Sequence, residues 1–218
     1  EVRAWIADDP DPSTAAQLQQ WLDAGNETEL RASFNGFLQF GTAGLRGPIR
    51  PGPSGMNRAV VGRAAAGIVA YMKERNLTSV VIGRDARYGS EDFTFETAEI
   101  MSGAGMKVYV LPRPLPTPVL AFGVRHIGAD AGVMITASHN PPKDNGYKVY
   151  DHLGAGIIPP MDKEIAQLIK SAPMADEIKL ASGWSEIDIT TQYHQRAAKL
   201  VNNNYGQIKV AFTPMHGV

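Results

Sequence analysis

Residues 135–150, ITASHNPPKDNGYKVY, set a serine beside a histidine where an apolar run gives way to turn-forming residues. Ser138 fits three descriptions there: a hydrolase nucleophile, a phosphate carrier, or a turn serine bonded to local backbone. A phosphoserine brings about −1.5 to −2 charges and three strong acceptor oxygens, so a carrier needs cations and N–H donors directed at it. The neighbours can supply them. His139 is adjacent, Asn140 offers an amide, and the Asn145-Gly146 step is a tight-turn signal that would fold the next segment back. In that returning segment, period two puts Lys148 on the face opposite Tyr147 and Val149, so that it can point into the site. A hydrolase needs an oriented base and an oxyanion hole, and the G-x-S-x-G elbow is absent because Ala137 and His139 flank the serine.

A second constellation is GTAGLRG, residues 41–47. Its glycines let backbone approach a ligand closely, and Arg46 presents a bidentate fork suited to phosphate. On its own it reads equally as a glycine-rich loop with an exposed arginine. No Walker A pattern and no G-x-G-x-x-G opening a helix after a strand is present, so a nucleotide site gains no support. The third, GRDARYGS at 83–90, holds Arg84, Asp85 and Arg87 just past an expected strand. Either these meet a ligand, or an Arg-Asp pair braces the loop.

These groups need a scaffold, and the spacing of apolar residues provides one. Val60, Val61, Ala64, Ala65, Ile68, Val69 and Met72 recur at three and four and predict a helix over 57–74. Strands at 79–83, 108–111 and 131–136 alternate with helices over about 91–103 and from Pro118 to about His126, which implies βαβ units. The expected class is α/β, a mostly parallel sheet with flanking helices. Ligands of open sheets bind beyond the carboxyl ends of the strands, where GRDARYGS, LPRPLPTP and ASHNPPKDNG all fall.

Residues 1–39 read as a helical lead-in, with Asp11 or Ser13 capping a helix that carries Leu18, Trp21 and Leu22 and ends near Gly25. Residues 40–187 form the expected main domain, which includes a helix opened by the paired prolines before Met161. Residues 188–218 would begin a second α/β domain, with a helix near 188–203 and a fresh strand in IKVAFTPMHGV. The stop at Val218, where a new unit would start, predicts truncation.

At 218 residues and 44% hydrophobic, the chain has ample material for a buried core. Its 21 Lys and Arg balance 22 Asp and Glu, so no field of one sign gathers nucleic acid or anionic membrane. The absence of cysteine excludes disulfides and thiolate chemistry and accords with a cytoplasmic setting. The longest apolar segment, Ala64 to Met72, has nine residues, far short of the roughly 20 that span a bilayer. The sequons at Asn26 and Asn76 are discounted because the acidic, proline-broken N-terminus is no signal peptide.

TASHNPPKDNGYKVY resembles the phosphoserine-loop signature of the α-D-phosphohexomutases, the phosphoglucomutase and phosphomannomutase family, and FGTAGLRG is similar to that family's N-terminal active-site motif. The order of these motifs and the intervening GRDAR also match, over residues 40–218. In form both motifs look nearest the phosphoglucomutase and phosphopentomutase branch.

The resemblance implies that Ser138 carries the phosphoryl group and binds Mg2+ through its phosphate, with Arg46 and Lys148 in substrate contact and proton transfer and His139 beside the phosphoserine. Thr42, Gly44, Arg87, Asn140 and Asn145 are the further candidates for contact with substrate or phosphate. The implied reaction moves phosphate between the 1-position and a terminal hydroxyl of a phosphorylated hexose or pentose, through a bisphosphorylated sugar. The family's DGDxDR-like magnesium loop and its later sugar-selecting and phosphate-binding loops are missing from this sequence, so the piece alone is expected to be inactive. A non-catalytic sugar-phosphate-binding domain is the alternative, with a serine hydrolase behind it.

Overall fold

The computed structural model describes residues 1–200 and 206–213. It opens with three helices, α1 (Val2–Asp8), α2 (Pro12–Asp23) and α3 (Glu27–Ser33). Asp11 caps α2, its carboxylate accepting from the Ser13 N–H at 2.9 Å, with Pro12 in the first turn where no N–H is needed. Asn26, one of the sequon residues, caps α3 by accepting from the Glu29 N–H at 3.3 Å. Patterning foretold α2 alone. Helices as short as α1 and α3 are marginal in isolation and depend on packing. Trp5 and Leu18 sink into the main core, and Glu29 of α3 pairs with Arg50 at 2.6 Å.

Thereafter come β1 (Leu45–Pro48), α4 (Arg58–Glu74), β2 (Ser79–Arg84), α5 (Ser90–Gly103), β3 (Lys107–Val110), α6 (Thr117–Ile127), β4 (Ala131–Ile135), β5 (Asp144–Tyr150), α7 (Met161–Lys170), a 3-10 turn at Ala175–Glu177, β6 (Ser185–Glu186) and α8 (Thr190–Ala198). The sheet order is β1-β5-β4-β2-β3-β6. Strands β4, β2, β3 and β6 pair in parallel, while β5 is antiparallel to both β4 and β1. Five strands therefore share one direction and β5 alone opposes them, so the sheet is mostly parallel as expected.

Helices cover both faces. Val80, Ile82, Val133, Ile135, Tyr147 and Val149 pack toward α4, α5 and α7, and the alternate residues Val81 and Met134 pack toward α6 with Leu120, Val124 and Ile189. Each such buried aliphatic side chain contributes roughly 1.5–3 kcal/mol, so the sheet is a rigid base for its loops. Beyond β6, Ile189 enters the second core and α8 packs on α6.

Two local expectations are corrected. Asn145-Gly146 is not a turn: both residues lie inside β5, and the chain reverses earlier, through hydrogen bonds from Asn140 N–H to Ala137 O at 3.1 Å and from Asp144 N–H to Pro141 O at 3.0 Å. Gly146 meets a packing demand instead, since a Cβ there would lie 2.6 Å from Thr136 O and 2.7 Å from Leu45 O, the strands on either side. The strand expected from Ile208 is also not seen among the described residues. Residues 206–213 belong to no strand, and Ile208, Val210 and Phe212 are exposed. The rest of that expected strand, and the expected helix beyond residue 200 as far as 203, lie outside the described residues.

Candidate active site

Arg87, Ser138, His139, Asn140 and Asn145 gather where β2 and β4 end and β5 begins, while Arg46 and Lys148 lie within β1 and β5 and Thr42 and Gly44 precede β1. Ser138 stands three residues past β4 with φ 60°, in the left-handed region that side chains other than glycine rarely enter. Such a backbone costs about 1–3 kcal/mol and persists only where its surroundings impose it. Here they do. Thr136 Oγ1 accepts from the Ser138 N–H at 3.0 Å, and Arg87 closes over the loop from the other side. The Arg87 guanidinium donates to the carbonyl oxygens of Ser138 (3.0 Å), Asn140 (2.9 Å), Pro141 (2.8 Å) and Asp144 (3.0 Å).

Arg87 is itself held. Its Nε lies 3.3 Å from Asp85 Oδ2, while Asp85 Oδ1 accepts from the Arg87 N–H at 3.0 Å and from Ser90 Oγ at 2.7 Å. Asn145, fully buried, donates to Ser90 Oγ at 3.0 Å and to Tyr88 O at 2.8 Å. The GRDARYGS segment is thus a brace for the serine loop. Of the residues expected to contact phosphate, Arg87 and Asn145 spend their donors on this brace, and Asn140 donates its amide to Asp144 Oδ2 at 2.9 Å. Thr136, Ser90 and Asp144 were not singled out from sequence. A helix-opening serine after an Arg-Asp pair was the one visible signal among them.

Arg46 and Lys148 occupy the sheet beside this loop. Arg46 pairs with Gly146 and Lys148 with Met134, so both residues of β1 and β5 project from the α6 side while Leu45, Tyr147 and Val149 project into the opposite core. The period-two expectation for Lys148 therefore holds. Gly146 O accepts from the Thr136 N–H, which sets Arg46 two rungs nearer the serine loop than Lys148.

Among the described residues no carboxylate pairs with Arg46 or Lys148, and the Arg46 Nε is buried without a hydrogen-bond partner. Burial, and then the positive charge of Arg46, hold Lys148 below the ordinary lysine value, with Asp85 opposing. Burial raises the neighbouring Tyr150 hydroxyl, and Arg46 partly offsets that rise.

Gly41 and Gly44 exchange two backbone hydrogen bonds, of 3.2 and 2.8 Å, leaving Thr42 exposed at the tip of a tight turn. Gly44 has φ 74°, and a Cβ there would overlap the Tyr147 carbonyl oxygen. This glycine lets the turn lie against β5 and aligns Arg46. His139 is exposed at the crest of the serine loop.

The family model for phosphoglucomutase/phosphomannomutase, alpha/beta/alpha domain I, matches residues 38–176, which contain every candidate above. The chain belongs to this family. A "Probable phosphomannomutase" of Haemophilus influenzae is 43% identical over 176 residues, 75% of this chain and 36% of that protein. A mouse "Phosphopentomutase" is 34% identical over 247 aligned residues, covering 100% of this chain and 39% of its own. The crystal structure of a "putative phosphomannomutase" from Thermus thermophilus superposes with a TM-score of 0.69 at 33% identity, over 76% of this chain and 36% of that one. The chain thus spans well under half the length of these phosphoglucomutase/phosphomannomutase relatives.

A magnesium ion needs several oxygen ligands, carboxylates above all. Among the described residues no cluster of three acidic or histidine side chains could hold one. Near Ser138, Asp85 is committed to Arg87 and Ser90, and Asp144 to Asn140. These residues do not make a magnesium site by themselves.

Proposed function

We propose that this chain is the phosphate-carrying part of a phosphosugar mutase, acting in the cytoplasm on a phosphorylated hexose or pentose. The observation that carries the reading is Ser138 in a left-handed backbone on a braced loop, beside a sheet face bearing two cations, Arg46 and Lys148, without counter-ions among the described residues.

In this reading the Ser138 Oγ–P bond breaks as a sugar hydroxyl oxygen bonds to phosphorus, and the departing Ser138 oxygen takes up a proton from water to leave as the hydroxyl. The sugar hydroxyl proton passes to Lys148, which burial and Arg46 bias toward the neutral amine that can accept it. The second half of the cycle returns phosphate to Ser138 from the other end of the bisphosphorylated sugar: the Ser138 hydroxyl gives its proton to water as Oγ bonds to phosphorus, and Lys148 passes its proton to the departing sugar oxygen. Phosphoryl transfer depends on positioning and charge neutralisation more than on a strong nucleophile, so an unactivated serine suffices. In the same reading the exposed His139 and Thr42 meet the substrate as it enters, and Arg46 binds its phosphate. Magnesium bound through the Ser138 phosphate would need ligands from outside these residues.

The test is phosphopeptide and intact-mass analysis of the natural-length protein, joined to turnover of glucose 1-phosphate, mannose 1-phosphate and ribose 1-phosphate. One phosphate on Ser138, and loss of turnover of at least about a thousandfold in Ser138→Ala, are expected. Full turnover by Ser138→Ala would overturn the reading. A hydrolase would instead bind a fluorophosphonate at Ser138, and a purely binding module would take up sugar phosphates without interconverting them.

A further inference from the structure

On the face of β1 opposite Arg46, a groove of about 640 Å³ runs between α4, α7 and the segment 37–40. Leu38, Phe40, Leu45 and Ile169 line its apolar floor. Its cations are Arg63, Lys163 and Lys170, and no acidic side chain lines it. Among the described residues none of the three has a carboxylate partner. Glu164 of α7, the nearest acid in sequence to Lys163 apart from Asp162, is drawn away to Arg75 at 2.6 Å, and Asp162 bonds the Lys163 N–H at 2.8 Å.

Arg63 stands over the Phe37 ring at 5.4 Å and reaches Lys170 O at 3.4 Å, contacts that fix the guanidinium without neutralising it. Burial holds it below the ordinary arginine value, the mark of a cation that an anion would relieve. Volume and lining suit a small molecule, for pockets of about 300–1,000 Å³ with apolar walls and a few polar groups are the usual dimensions of ligand sites.

We propose that this groove binds a small amphipathic anion, an aromatic or acyl body lying on Phe40 and Leu45 with one phosphate, sulfonate or carboxylate among Arg63, Lys163 and Lys170. Such an occupant touches the strand that presents Arg46 on its other face. It lies on the far side of that strand from the serine site.

The experiment uses the natural-length protein and two fluorescent probes of similar body, 8-anilinonaphthalene-1-sulfonate and uncharged N-phenyl-1-naphthylamine. The sulfonate should bind about tenfold more tightly, as a few partly exposed charge contacts allow. In Lys163→Gln/Lys170→Gln that preference should fall below about threefold with the melting temperature unchanged. Lys73→Gln/Lys107→Gln, on other surfaces, should keep it. Lys148→Gln should keep it too, which separates the groove from the serine site. Equal binding of the two dyes, an undiminished preference in Lys163→Gln/Lys170→Gln, or no binding at all, as when another segment of the chain covers the groove, would each overturn the proposal.

Discussion

Arg87 donates to the carbonyl oxygen of Ser138 at 3.0 Å, and the same guanidinium reaches three further carbonyls of the loop that follows. A residue from the loop after β2 thereby fixes the backbone beyond β4. The planar fork is what permits this, since its donors point in fixed, diverging directions whereas a lysine ammonium is a single point.

Arg87→Lys should consequently lower turnover of the natural-length protein by about a hundredfold, the penalty of a small misplacement of a reacting group, with substrate affinity little changed. Hydrogen exchange of the amides at 138–144 should accelerate in the same variant. A direct phosphate-binding role would instead show as a raised KM with exchange unaltered.

The left-handed backbone of Ser138 gives a second outcome. Ser138→Gly and Ser138→Ala both remove the hydroxyl, but only glycine relieves φ 60°. Ser138→Gly should be more stable than Ser138→Ala by about 1 kcal/mol in urea unfolding, even though glycine gives the unfolded chain more freedom. Equal midpoints would mean that the loop holds no strain at this residue.

Lys148 titrates below the ordinary lysine value because of burial and Arg46. Arg46→Gln should move its titration upward, read from the side-chain 13Cε shift, and Asp85→Asn should move it downward by removing the opposing charge. Below its folded pKa, Lys148 is charged in both states and the native state bears the full penalty. As pH rises from the folded toward the unfolded value, the unfolded chain holds more protons and stability increases. Lys148→Gln should flatten that alkaline rise.

Gly44→Ala places a methyl group against the Tyr147 carbonyl at a position with φ 74°. A loss of at least about 2 kcal/mol is expected from the combined overlap and strain. Turnover should fall with it as Arg46 leaves its rung. Thr42→Ala, at the exposed tip of the same turn, should leave the melting temperature within a degree or so, since surface changes rarely exceed about 0.5 kcal/mol.

Much of the scaffold was legible because apolar spacing and burial coincide: the stripe from Val60 to Met72 forecast α4, and the Val80 to Ile82 run forecast β2. β6 was not legible. Its two polar residues, Ser185 and Glu186, are a strand only because β3 offers them an edge, which no local preference encodes. α1 and α3 escaped for a similar reason, since their stability resides in Trp5 and Arg50 contacts made across the chain. At the site, the cations flanking Ser138 could be named from residue type. Whether Arg87 faced a ligand or the loop stayed open, because its partners lie 51 to 57 residues away. Asn145-Gly146 misled because the pair that favours a hairpin turn also suits a buried strand needing a side-chain amide and a missing Cβ.

The single reversed strand has a consequence for how the protein comes together. β4, the serine loop and β5 form one hairpin of neighbouring residues, so Ser138 and Lys148 are brought together by a short chain closure that early folding can make readily. Arg46 reaches the same face only when β1 docks on the free edge of β5, bridging about a hundred residues of intervening chain. Ser138 and Lys148 are thus joined within one local hairpin, whereas Arg46 joins their face through the β1–β5 pairing, which has the longest sequence separation among the strand pairs described.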